Sequence, residues 1–302
     1  YEGIELLFGG DSDIINNIFT ENFGRGIESE FSSSDKIQSN IISGNNGHGI
    51  SQENSPYYNI TNNTIIDNNE SGIFLAENIV GDIISNNFIA HNNRQGVFVY
   101  SRSTLNFIVG NFIFNNTENG IKIEFLSHRN TVANNTILNN KANGISIGRP
   151  PDFFHTNFTK IFNNSITNNS LNGILVNNSH SNEIIDNDIN QNNNGISFIS
   201  SLQNNITENE ITQNNGHGIK LSMSSATIIF NNTIASNLFD GVRLENSNDN
   251  NILKNLVERN DFGISLLNSD LNNISGNNAS HETAGIGLVD SEINQITLNF
   301  LN

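Results

Sequence analysis

One dipeptide constrains the fold of this chain more than any other feature. A glycine followed by Ile or Val recurs at Gly3, Gly26, Gly49, Gly72, Gly96, Gly120, Gly144, Gly173, Gly195, Gly218, Gly241, Gly263 and Gly285. The steps are 22 to 24 residues, except for one of 29 after Gly144. A second marker keeps the same register: an apolar residue, Asn three on, and usually another apolar residue two further, as in Ile60-Asn63-Ile65 and Ile206-Asn209-Ile211. That Asn stands at 17, 40, 63, 87, 111, 135, 164, 187, 209, 232, 255, 277 and 299, so no repeat lacks it. A second Asn follows five residues later, from Asn22 to Asn260, and only the last full repeat departs, with Glu282.

A period this short holds three strands, each too short to stand alone. Stacking the repeats pairs every strand with its copy one turn away, at roughly 4.8 Å. The pattern therefore predicts an all-β solenoid over residues 1–302, a single-stranded right-handed parallel β-helix of about thirteen coils. The positions one and three after each Gly point inward, for example Ile73 with Leu75 and Ile121 with Ile123. The Asn positions fall where strands bend, and there an Asn can bond to the turn and to the Asn stacked on it.

Composition narrows the function. The 302 residues carry 13 Lys/Arg against 30 Asp/Glu, a formal net charge of -17. Nucleic acid and anionic membrane both need an excess of cations, so neither is expected as main partner. There is no cysteine, hence no disulfide or thiolate metal site. No apolar run approaches the roughly 18 residues of a membrane span. Asn is about a fifth of the chain. Its fixed spacing from Ile argues for an ordered repeat rather than a prion-like tract.

Two irregularities stand out. The long step places a loop insertion at about 148–158, where Phe153, Phe154 and His155 are candidate contact residues, since loops on repeat scaffolds carry function. At the ends, Tyr1, Ile4, Leu298 and Phe300 are read as rim residues with no cap beyond them. The expectation is end-to-end self-association, or continuation of the polypeptide.

The Gly-Ile…Asn-x-Ile…Asn-Asn pattern resembles the pectate-lyase-like β-helix superfamily along the whole chain. It looks closest to the carbohydrate-binding and sugar-hydrolase repeats, which include periplasmic copper-delivery (NosD-like) proteins. The resemblance implies a fold that hosts lyases, hydrolases, epimerases and adhesins. Catalytic signatures do not follow. Gly-His-Gly occurs at His48 and His217, but the Asp-Asp and Asn-Thr-Asp of polygalacturonase-like enzymes are missing, as is the Asp-Pro-His of mannuronan epimerases. The two His stand about seven coils apart and cannot share a site. Copper delivery would prefer His and Met ligands, and seven scattered His with the lone Met223 offer little.

Three outward groups carry candidate chemistry. From the first strand, Phe74, Phe98, Tyr100, Lys122 and Glu124 form neighbouring columns suited to sugar stacking or partner contact. Tyr100, Lys122 and Glu124 could also act as base, neutraliser and orienting acid in uronate elimination. Asp186, Asp188, Glu208 and Glu210 flank the Asn ladder on adjacent coils; a solvated acidic ridge is the favoured reading, and oxygen-only ligands for Ca²⁺, the one cofactor considered, are the alternative. Of about a dozen Asn-x-Ser/Thr sequons, Asn59, Asn177, Asn205, Asn273 and Asn278 are the glycosylation candidates. The leading reading is a non-catalytic extracellular or cell-surface scaffold. The alternatives are a polysaccharide-binding module or enzyme, and a periplasmic accessory protein.

Overall fold

The computed structural model describes residues 1–149, 154–280 and 283–301; Phe153 and Glu282, both singled out from sequence, lie outside them. Three 13-stranded parallel sheets run the length of the molecule. Each coil contributes one strand to each sheet. Coil 6, for example, gives Ile121–Ile123 to sheet 1, Thr131–Ala133 to sheet 2 and Thr136–Leu138 to sheet 3. Coil 7 follows in strict register, pairing Ile121 with Ile145, Val132 with Ile161 and Ile137 with Ile166.

The register follows from the inward columns. Ile37, Ile60, Ile84, Ile108, Val132 and Ile161 stack as one fully buried column on sheet 2. A slip of one residue would turn every such side chain to solvent, at roughly 1.5–3 kcal/mol each. The glycines obey a packing rule rather than a turn rule. At Gly120 a Cβ would stand 2.5 Å from Ile137 Cγ2 and 2.7 Å from the Gly144 carbonyl oxygen. The left-handed conformation falls instead on the residue before each ladder Asn, as at Asn134, Asp186 and Glu208.

The ladders pair the polar groups of the bends, as Asn135 shows. Asn135 Nδ2 donates to Ile108 O at 2.8 Å and to Asn164 Oδ1 at 3.0 Å, and its backbone N–H reaches the same oxygen. Its own Oδ1 accepts twice from Asn111. Asn135 is 1% exposed, as the ladder reading requires. A third ladder, which the pattern search missed, precedes sheet 2: Asn106, Asn130, Asn182, Asn204, Asn250 and Asn272 are all buried there. In coils 2–4 this column changes to Asp35, Tyr58 and Asp82, and the inward sheet 1 residues Ser29 and Gln52 turn polar with it. Tyr58 donates its hydroxyl to Asp35, and burial pushes the Asp82 carboxyl well above the usual range.

The insertion lies between Ile145–Ile147 and Lys160–Phe162 of coil 7. At the ends, one expectation needs correcting. Leu298 sits in a left-handed turn, 90% exposed, and Phe300 faces outward beside Asn278. The inward apolar residues of the terminal coils include Ile4, Leu6, Ile14 and Phe19 at one end, and Ile286, Leu288, Ile296 and Leu301 at the other. Tyr1 is 95% exposed.

Candidate functional site

Outward residues of sheet 1 align as strictly as inward ones, so aromatic residues in successive coils must meet. Phe74 pairs with Phe98, and their ring centroids lie 5.3 Å apart. Tyr100 is 5.5 Å from Phe98 and 5.3 Å from Phe125, and Phe125 is 4.6 Å from Phe154. His48 extends the band downward, stacked on Phe74 at 4.6 Å. Six rings thus form one continuous track from coil 3 to the insertion of coil 7. Sequence reasoning had Phe74, Phe98, Tyr100 and Phe154 but treated the loop as separate. It missed His48 and Phe125; Phe125 follows the strand in a left-handed turn, outside the alternation that was searched.

Cations edge the track. Lys122 Nζ lies 5.2 Å over the Phe98 ring and Arg149 5.7 Å over Phe125, within cation–π range. Glu124 holds both: its carboxylate is 3.0 Å from Lys122 Nζ and 3.9 Å from Arg149. This corrects the catalytic reading. Glu124 is 3% exposed and buried beneath the cations, not facing solvent. Its charge compensates Lys122, and Tyr100 is wedged between two phenylalanines. Glu124 is thus engaged with Lys122 rather than open to a substrate.

The track lies in an unusual stretch. Residues 94–160 hold seven of the 13 Lys/Arg but only three of the 30 Asp/Glu. This belt is basic inside a strongly acidic chain. At physiological salt, charges farther than about 8 Å are largely screened, so a ligand here senses the belt rather than the whole.

The histidines have a shared structural task. The Nδ1 atoms of His48, His128, His180 and His217 each accept a backbone N–H from the next coil, from Ser71, Asn157, Leu202 and Asp240 at 3.0–3.2 Å. Both Gly-His-Gly motifs are therefore staples between coils. His155 differs: its Nδ1 faces Asn178 O at 3.0 Å, and its ring lies 4.6 Å from His180. A ring whose Nδ1 accepts a backbone proton carries its own proton on Nε2 and offers a metal no free lone pair. Met223 is exposed, on the outer surface. The four stapling histidines and Met223 do not fit a copper centre. Among the described residues, no group of three or more His, Asp or Glu is placed to hold a metal ion.

The four acids are brought together as a ridge. Asp186 and Glu208 occupy left-handed turns, Asp188 and Glu210 are register partners on sheet 3, and all four are exposed. With Asn231 and Thr233 they line an open groove of about 460 Å³. Of the sequon residues, Asn59 is exposed, and Asn205, Asn273 and Asn278 are half-buried. Asn177 is 5% exposed, packed under Gly148 of the insertion coil, and cannot carry a glycan in the folded protein.

Residues 153–301 match the family model described as right handed beta helix region. Residues 1–124 match the one described as periplasmic copper-binding protein (NosD). The fold is that of a right-handed parallel β-helix. This β-helix is similar to a mutant of the periplasmic alginate epimerase AlgG at 16% identity and TM-score 0.68, over 98% of this chain and 77% of that one. It is similar to the Azotobacter vinelandii mannuronan C-5 epimerase AlgE6 A-module at 13% and 0.53, over 95% and 88%. It also resembles the Dettilon tailspike protein at 16% and 0.60, over 94% and 61%. At these identities the likeness speaks for the fold. No curated protein matches the β-helix in sequence. No helix of the described residues is long and apolar enough to cross a membrane.

Proposed function

We propose that this β-helix is a non-catalytic scaffold acting outside the cytoplasm, and that its sheet 1 face binds a polysaccharide chain along coils 3–7. The observation that carries the reading is the unbroken track of His48, Phe74, Phe98, Tyr100, Phe125 and Phe154. A linear apolar strip with polar flanks suits an extended sugar chain, whose pyranose faces are apolar and whose edges are hydroxylated. The relatives named as alginate epimerases and a tailspike support a saccharide ligand, and the match to a family described as periplasmic supports the location. Catalysis is left out because Lys122 and Glu124 neutralise each other and Tyr100 is packed among rings.

A glycan array probed with the purified chain tests this. A Phe98→Ala/Tyr100→Ala variant should lose at least tenfold in affinity for the glycan found while remaining fully folded at the assay temperature, with a melting temperature lowered only by the lost ring contacts. No glycan bound, or equal binding by the variant, would refute the proposal. Turnover of the bound glycan would refute its non-catalytic part.

A further inference from the structure

Round the corner from the ring track, sheet 2 carries a different arrangement. Two outward columns run side by side over coils 5–8. One is made of left-handed turn residues, Leu105, Arg129, Phe158 and Ser181. The other is the first residue of each sheet 2 strand, Phe107, Thr131, Lys160 and Glu183. Together they line a groove of about 330 Å³. Its apolar walls are wet: Leu105, Phe107 and Phe158 are each nearly half exposed. A second groove continues from Lys160 and Glu183 toward Asp186 and Glu208.

Arg129 is the centre of this surface. Its guanidinium lies 5.7 Å over the Phe158 ring. Among the described residues no carboxylate comes within 4.0 Å of it, whereas Lys160 is tied to Glu183 at 3.0 Å. In a chain with more than twice as many acids as bases, a guanidinium fixed on an aromatic face and left without an acid is an unspent electrostatic contact. Arg presents a planar fork that matches carboxylate and sulfate oxygens in pairs. The rings of Phe107 and Phe158 on either side supply apolar surface for the body of a sugar.

We propose that this face is a second binding site, for anionic saccharide units bearing a carboxylate or a sulfate. It does not rest on the sheet 1 reading, since none of its residues belongs to the ring track. Glu183, Asp186 and Glu208 close the far end of the groove with negative charge. They set the direction in which the anionic group lies, toward Arg129 and away from coil 8.

Calorimetric titration of the full chain with three probes tests it: an oligogalacturonate, the same oligomer methyl-esterified, and a carrageenan oligosaccharide as the sulfated source. At least one anionic probe should bind and the ester should not. Arg129→Gln should weaken binding of that probe at least tenfold with an unchanged melting temperature, and the exposed Arg259→Gln should leave it within twofold. Equal binding of the ester, equal binding by Arg129→Gln, equal loss in Arg259→Gln, or no binding of either anionic probe would each overturn the proposal. If Phe98→Ala/Tyr100→Ala abolishes binding and Arg129→Gln does not, the sheet 1 track stands and this site falls. The reverse result overturns the sheet 1 track as the site for that probe.

Discussion

Coils 5–7 and coils 8–9 have nearly the same inside and opposite outsides. Within, both stack Ile on Ile and Asn on Asn: Ile137, Ile166, Ile189 and Ile211 form one fully buried column running through both. Outside, coils 5–7 present Phe98, Tyr100, Phe112, Lys122, Phe125 and Arg129, while coils 8–9 present Asp186, Asp188, Glu208 and Glu210. The interior fixes register and shape once per repeat. The outward columns are then free to diverge without cost to the fold, so what distinguishes one stretch of the solenoid from another is written on them.

That separation can be broken first from the inside, where the largest effects lie. Asn135→Leu, beneath the basic belt, strands Ile108 O and both donors of Asn111; Asn209→Leu, beneath the acidic ridge, does the same to Ile184 O and Asn187. Each unpaired buried group costs about 1–3 kcal/mol, so each variant should lose at least about 3 kcal/mol by chemical denaturation. The two losses should be alike. A much smaller loss at either site would mean that the interior is not uniform.

Acid should act on both regions through the histidine staples. Burial lowers the pKa of His128, His180 and His217, and takes that of His48 to about 3. Around His48, Arg25 and Arg94 push the same way, and Glu70 stands 2.8 Å from Nε2. A histidine with a lowered folded pKa stabilises fully above its unfolded value of about 6.5. That stability is lost as pH falls toward the folded value. Folding stability should therefore drop between pH 6.5 and 4, by on the order of 2 kcal/mol from His48, and the melting temperature with it. His48→Asn, which keeps an acceptor and removes the titration, should flatten the curve. An unchanged curve in that variant would show that His48 is not a staple.

Most of the architecture could be read in the sequence because a solenoid repeats its constraints. Thirteen Gly-Ile or Gly-Val pairs and thirteen ladder Asn give coil number, register and inward face directly. The third ladder escaped because Tyr58, Thr159 and Thr227 interrupt it. The site was half legible. Alternation placed Phe74, Phe98 and Tyr100 outward, but turn residues do not alternate, so Phe125, Arg129 and Phe158 were invisible until the corners were seen. Glu124 read as exposed because its position in the repeat is outward; two cations cover it.

The outward surfaces can also be separated from one another. Sheet 3 carries its own aromatic cluster in coils 4–5, with Phe112 stacked on Phe88 at 5.6 Å and tilted against Phe114 at 5.3 Å. It lies off both proposed binding faces. Phe112→Ser should cost about 1 kcal/mol of stability and leave glycan affinity unchanged. A loss of affinity would extend the binding surface to sheet 3.

The smallest effect belongs to the acidic ridge. Asp188 and Glu210 are direct neighbours on sheet 3, and like charges so placed repel by a few tenths of a kcal/mol. Asp188→Asn/Glu210→Gln should therefore raise the melting temperature slightly. No three of these acids stand close enough to hold a metal as they are, so Ca²⁺ must draw them together to bind; if it does, millimolar calcium gives the wild type a similar rise and the double variant none. Magnesium is the control, because it parts with its water reluctantly and should do less. Equal rises with both ions would mean screening of a solvated ridge rather than coordination. No rise in the double variant without calcium would mean that the acids are already far enough apart for water to separate them.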